Sequence, residues 1–114
     1  MNFFITGTQA YGPVTTGSDI DIVMFSNDAE ALWKILNEMG ITPFQTEVQK
    51  NEKYGGFYFK VGPLQFNVIE AVTSDDYRSW FWATERMKKI DPIIDRGERL
   101  AKFKSFFTSE DIET

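Results

Sequence analysis

The chain has 114 residues, 42% hydrophobic and 16% aromatic, which is enough apolar material for one folded domain and too much for a disordered chain. Twelve basic against seventeen acidic side chains leave a net charge of −5, which argues against a general duplex-DNA binder, since that needs a basic surface to displace counterions. Cysteine and histidine are both absent, so disulfides, thiolate or imidazole metal sites and Ser-His-Asp catalysis are excluded, and chemistry must run on carboxylates, hydroxyls, Lys, Arg, Tyr or an oxygen-liganded metal.

The first residues, MNFFITGTQ, lack the basic and long apolar stretches of a signal peptide. No apolar run approaches the ~20 residues that span a bilayer, so a soluble, cytoplasmic protein with no membrane partner is expected. Phe3–Thr6 predicts a short strand that Gly7 ends. Gln9 to Gly17 is rich in Gly, Thr and Pro and predicts a turn, a short helical piece and a loop. From Asp19 to Phe25 the pattern alternates, with Ile20, Ile22 and Met24 against Asp19, Asp21 and Val23. That is strand periodicity with two acids on one face.

Ser26 or Asn27 is expected to cap the next helix, whose apolar positions are Ala29, Leu32, Trp33, Leu36 and Met39. Gly40 stops it and Pro43 blocks its resumption. Three strand-like pieces follow, Phe44–Val48, Phe57–Val61 and Leu64–Val72, separated by Gly55-Gly56 and Gly62-Pro63. Turns so short predict antiparallel neighbours. Ser74 is the expected cap of a helix running to about Lys89, with Tyr77, Trp80, Phe81, Thr84, Met87 and Lys88 on one stripe. Pro92 separates it from a last helix, Ile94–Phe107, in which Leu100, Phe103 and Phe107 alternate with Arg96, Arg99, Lys102 and Lys104. The order predicts an α+β fold, a mixed or mostly antiparallel sheet with helices packed on it. It also predicts a single domain over residues 1–107 and an acidic tail, 108–114.

Chemistry concentrates in Gly7-Thr8-Gln9-Ala10-Tyr11-Gly12 and Ser18-Asp19-Ile20-Asp21-Ile22. Carboxylates at i and i+2 of a strand point the same way, near enough to share a cation. Without one they repel, and one resists ionising. A hard cation such as Mg²⁺ suits them, because it takes oxygen ligands and is often held by one or two carboxylates plus substrate phosphates. Gly7 lets the backbone approach a ligand, and the amides and hydroxyl of Gly7-Thr8 are candidates for phosphate oxygens.

This arrangement resembles the nucleotidyltransferase superfamily, the polymerase-beta-like fold, in a minimal one-domain form. That family carries Gly-Ser, a spacer of about ten residues, then Asp-hydrophobic-Asp, with a third carboxylate on a later strand. Here Gly7-Thr8 stands at the Gly-Ser position, Asp19 and Asp21 match the acidic pair, and Tyr11 and Ser18 fit the surrounding pattern. Phe66-Asn67-Val68-Ile69, followed by Trp80-x-x-Ala83-Thr84-Glu85 and a basic terminal helix, is similar to small phage-encoded nucleotidyltransferase-like proteins. The resemblance implies Mg²⁺-dependent transfer of a nucleoside monophosphate from a nucleoside triphosphate to an acceptor hydroxyl on a protein, RNA or small molecule. It makes Asp19 and Asp21 the metal ligands, Gly7 and Thr8 the phosphate cradle, and Tyr11, Ser18 and Asn67 further binding residues. The third acid is where the chain departs from the family. Asn67 stands at the expected position, and Glu70, the nearest carboxylate, points to the opposite face of a regular strand unless a bulge turns it inward.

The departure leaves two classes open. One is the enzyme, with Asp19, Asp21 and Glu70 catalytic. The other is an impaired module of the same fold that binds a nucleotide or a partner protein, or pairs with a second copy. Several side chains have plainer roles beside the functional ones. Trp80, Phe81 and Trp82 are a nucleobase platform or, more in keeping with helical spacing, two core residues and one partly exposed. Arg96, Arg99, Lys102 and Lys104 are expected to form a solvated helix face, with Arg99 and Lys102 the best placed for phosphate.

Overall fold

A computed structural model describes residues 2–13, 17–46 and 56–108. Within them the elements are β1 (Phe3–Thr6), α1 (Thr8–Tyr11), β2 (Ile20–Phe25), α2 (Ser26–Glu38), β3 (Gly56–Val61), β4 (Leu64–Ala71), α3 (Ser74–Lys88) and α4 (Arg96–Phe107). The strands form one sheet in the order β1-β2-β4-β3. β1 runs antiparallel to β2 and β3 antiparallel to β4, while β2 and β4 are parallel. The fold is therefore α+β with a mixed sheet. The parallel pair lies at its centre, where a chain reversal through α2 and β3 separates its two members.

Period-two alternation sorts the side chains onto two faces. On one, Met24, Phe57, Phe59 and Val68 form the core with Ala29 and Leu36 of α2, and Ile22, Leu32, Trp33, Ile41 and Phe66 pack against it. Phe59 and Phe66, directly opposite across the β3–β4 ladder, stack with ring centroids 4.8 Å apart. The other face carries α3. Phe4 meets Tyr77 and Phe81 edge-on, and Phe25 stacks on Tyr77 at 4.3 Å. Under these rings the contact is made by small or slim residues, and Ala83, Thr84 and Met87 are the buried positions of α3. Trp80, Phe81 and Trp82 are none of them fully buried, so the expected pair of core aromatics is replaced by rings at the seams between elements.

The buried polar pair on this face is satisfied internally. The Thr84 hydroxyl donates to the Trp80 carbonyl at 2.8 Å, so the Thr6 hydroxyl is the donor in its 2.6 Å contact with Thr84 Oγ1. This chain ties the end of β1 to the middle of α3, next to the corner where Gly7 leaves the sheet.

Local details differ from expectation in four places. Helix α2 begins at Ser26 with Phe25 at its N-cap and no side-chain cap. Helix α3 is capped by Thr73, whose hydroxyl accepts from Asp76 N, rather than by Ser74. Helix α4 starts at Arg96 behind an Asp95 cap that accepts from Glu98 N at 2.9 Å. The strand expected at Phe44–Val48 is, among the described residues, a single bridge from Phe44 to Tyr58. Val48, the Gln49–Tyr54 stretch, Gly55 and the tail from residue 109 lie outside the described residues.

Candidate active site

Three short segments and one helix face converge at the α3 side of the sheet. Gly7 turns the chain out of β1 with φ +70°. A Cβ at that position would fall well inside van der Waals contact with Asp21 Oδ2. Only glycine lets the backbone pass this close to the carboxylate. The turn continues directly into α1, one turn of helix closed by the amides of Ala10 and Tyr11 bonding back to the Gly7 carbonyl. The antiparallel register sets Thr6 opposite Asp21, which places the glycine corner next to the first acidic strand.

The parallel register then decides what stands on the other side of the acids. Asp21 pairs with Asn67, and the Asn67 amide donates to Asp21 Oδ1 at 3.2 Å. Two residues earlier on each strand, the Gln65 amide donates to Asp19 Oδ1, also at 3.2 Å. Gln65 was not singled out in the sequence, although its i, i+2 spacing from Asn67 mirrors that of the two acids. Each carboxylate is held by a neutral amide through one oxygen. Burial pushes the Asp21 carboxyl above its ordinary range, the Asn67 hydrogen bond draws it back down, and the Asp19 charge pushes it further up.

Glu70 is not brought to this place. The β2–β4 and β3–β4 ladders run in step along β4, with Glu70 opposite Met24, so no bulge rotates it. It faces the α2 side, in a separate cavity of about 490 Å³ with Ser26, Asn27, Glu30, Trp33 and Lys34. Among the described residues no group of three or more His, Cys, Asp or Glu side chains converges as a metal cluster.

A cavity of about 350 Å³ is lined by Thr6, Gly7, Thr8, Tyr11, Asp19, Asp21 and Asn67 from the sheet and corner, and by Arg96, Arg99, Leu100 and Phe103 from α4. Ser18, just before Asp19, is not among the lining residues. Tyr11 stacks on Phe103 with a 21° interplanar angle, and Trp80 packs on both Phe103 and Phe107. These rings dock α4 over the acids. Burial raises the Tyr11 hydroxyl's titration, the Asp21 charge raises it further and the Arg99 charge lowers it. Tyr11 therefore sits within the field of both charged walls. The α4 face at i, i+3, i+4 and i+7 (Arg96, Arg99, Leu100, Phe103) is a cavity wall rather than the solvated face expected, and Lys102 is not on it.

The donor set suits one hard divalent cation. Asp19 and Asp21 each keep Oδ2 outside the amide bonds, and oxygen ligands of this kind match Mg²⁺ sharing its remaining positions with phosphates and water. Among the described residues, the other side-chain oxygens lining the cavity, those of Thr6, Thr8, Tyr11, Tyr58 and Asn67, belong to hydroxyl and amide groups rather than carboxylates. No helix among the described residues is long and apolar enough to cross a membrane. Comparison of the chain with protein-family models, curated proteins and solved structures gives no match.

Proposed function

We propose that this chain is a Mg²⁺-dependent nucleotidyltransferase that moves a nucleoside monophosphate from a nucleoside triphosphate to an acceptor hydroxyl. The observation that carries the reading is the convergence of Asp19 and Asp21 with Gly7 and Thr8 in one cavity open to solvent. Asp19 and Asp21 would hold the ion. When bound, Mg²⁺ supplies neutralisation of triphosphate charge, which lets two carboxylates and a polyanion share one pocket. The chain's own residues do the rest. Gly7 keeps the corner thin enough for Asp21 to face the pocket. The Thr8 hydroxyl is a phosphate donor at its edge. Asn67 and Gln65 fix the rotation of the two acids through their amide bonds. Leu100 and Phe103 form the apolar part of the wall that α4 contributes.

Asn67 favours a second reading, an impaired module that binds the nucleotide without turning it over. Where a third acid would help activate the acceptor hydroxyl, the chain has an amide that donates a hydrogen bond to Asp21. The two readings separate in one experiment. Thermal shift is measured with ATP, GTP, CTP and UTP, each with and without Mg²⁺, on the wild type and on Asp19→Asn/Asp21→Asn. Transfer of α-labelled nucleotide to lysate components is followed in parallel. A metal-dependent shift with labelled product supports the enzyme, and the same shift without product supports the module. No shift with any nucleotide at millimolar concentration overturns both.

A further inference from the structure

Arg96 and Arg99 stand at i and i+3 of α4 and line the same cavity as Asp19 and Asp21. Lys102 and Lys104 of the same helix do not line it, and Lys102 lies over the Phe106 ring, 5.0 Å from its centre. Among the described residues, neither arginine makes an ion pair, with the two acids or with any other. Charges of opposite sign thus face each other across a gap and stay uncombined, because the Tyr11–Phe103 and Trp80–Phe103 contacts set where α4 rests.

Such a pocket discriminates by charge distribution. A bare anion is drawn to the guanidinium groups and repelled by the carboxylates, and a bare cation meets the reverse. Both walls are satisfied by a ligand whose negative chain carries a divalent cation at one end, that is, a metal-chelated polyphosphate. Arg99 is the fixed member of the pair. Its Nη1 donates to the Ile93 and Ile94 carbonyls at 3.0 and 3.1 Å, which braces the guanidinium against the loop before α4 and leaves Nε and Nη2 as further donors. Arg96 is exposed at the rim and free to adapt.

We propose that Arg96 and Arg99 form the subsite for the terminal phosphates of a metal-chelated triphosphate, across the cavity from Asp19 and Asp21. The proposal rests on the nucleotide reading above and adds which cations of α4 serve it. It places the leaving pyrophosphate against α4, and the nucleoside and α-phosphate toward the sheet.

The test is calorimetric titration of the full chain with Mg²⁺–inorganic tripolyphosphate and with each Mg²⁺–nucleoside triphosphate. Nucleoside monophosphates are measured by competition. The variants are Arg96→Ala, Arg99→Lys (which keeps a cation at that position), their combination, and Lys102→Ala/Lys104→Ala, each checked by circular dichroism for wild-type folding. Each arginine variant is expected to weaken tripolyphosphate and triphosphate binding by about tenfold, the worth of one charge-assisted hydrogen bond. Monophosphate binding and the lysine variant should stay within about twofold of wild type, as for exposed charges. A wild type that binds triphosphate while the arginine variants bind it equally well overturns this subsite and leaves the nucleotide reading intact. Equal weakening for monophosphate and tripolyphosphate also overturns it. A wild type that binds neither tripolyphosphate nor any nucleotide overturns both readings.

Discussion

Replacing Gly7 with alanine should reveal how tightly the glycine corner and Asp21 are coupled. Two costs are separable. Gly7 has φ +70° and ψ −164°, a conformation essentially reserved for glycine, and an alanine held there loses about 1–3 kcal/mol to backbone strain. The added Cβ would also collide with Asp21 Oδ2 and come within 3.1 Å of its Cγ, so the carboxylate must turn away. Turning forfeits the Asn67 hydrogen bond, worth about 1–2 kcal/mol for a charged acceptor in a half-buried place. The expected total is about 2–5 kcal/mol. Gly40 provides the control, because it has φ +81° but open space where its Cβ would be. Gly40→Ala should therefore cost a backbone share alone, about 1–2 kcal/mol, with no steric addition.

The steric share is isolated by a double-mutant cycle. Asp21→Ala removes Cγ and Oδ2 and leaves Asp21 Cβ at 3.4 Å from the new methyl position, an ordinary contact. In that background Gly7→Ala should cost only its backbone share, giving a coupling of about 1–2 kcal/mol. The assay is urea unfolding of the four proteins in EDTA, read as free energies with a common m-value. Equal costs of Gly7→Ala in both backgrounds would refute the close approach of the corner to the acid.

The remaining expectations concern the same face. Asp21→Asn should raise Tm at pH 7 in EDTA by ~4 °C, for a gain of about 1 kcal/mol, because it removes a desolvated charge beside Asp19 and keeps an oxygen for Asn67. Burial holds the folded Asp21 carboxyl above the 3.8 of an ordinary aspartate, so its stability contribution is full below that pH and is lost as pH rises through the folded value. The variant's advantage should thus vanish in melts below pH 3.8 and grow above it. Thr84→Val should cost about 1–3 kcal/mol by orphaning the buried Thr6 hydroxyl, whereas Thr6→Val/Thr84→Val should recover most of the loss, since both partners then go. Chemical denaturation of the two variants decides this, and equal costs would contradict the hydrogen-bond account. Asn67→Asp should lower Tm by ~3–6 °C in EDTA through a third charge at the Asp21 register, and regain it with Mg²⁺. Electron paramagnetic resonance with a non-hydrolysable triphosphate should count one bound Mn²⁺ in the wild type and two in this variant.

What could be read from the chain and what could not divide along a physical line. The alternation at Asp19–Phe25 places both acids on one face by itself, because strand geometry is local. The same rule applied to β4 sends Asn67 toward the acids and Glu70 away, and the unbroken ladders agree with it. Helix caps were harder. Ser26, Thr73 and Ser74 are all competent polar residues, and a shift of one position follows from where the preceding strand lets go. Among the described residues the pairing at Phe44 is shorter than the alternation predicts for a related reason: a short alternating run satisfies the strand pattern whether or not a neighbour is there to pair with it.

The α4 wall was out of reach for another reason. Its residues have helical spacing under either reading, and nothing local tells a solvated arginine from one that lines a cavity. The phase of α4 about its axis is set by Trp80, 23 positions before Phe103 in the chain, and by Tyr11, which comes from the short helix between β1 and β2. That phase is a tertiary quantity. Rotating α4 by one residue, about 100°, so that Gly97, Leu100, Ala101 and Lys104 faced the pocket would carry Arg99 off it, bring Lys104 toward it and turn Phe103 away from Trp80 and Tyr11. The aromatic contacts to Trp80 and Tyr11 therefore decide which cations face the acids. Weakening them, for example by Phe103→Ala, should reduce triphosphate affinity without touching a charge.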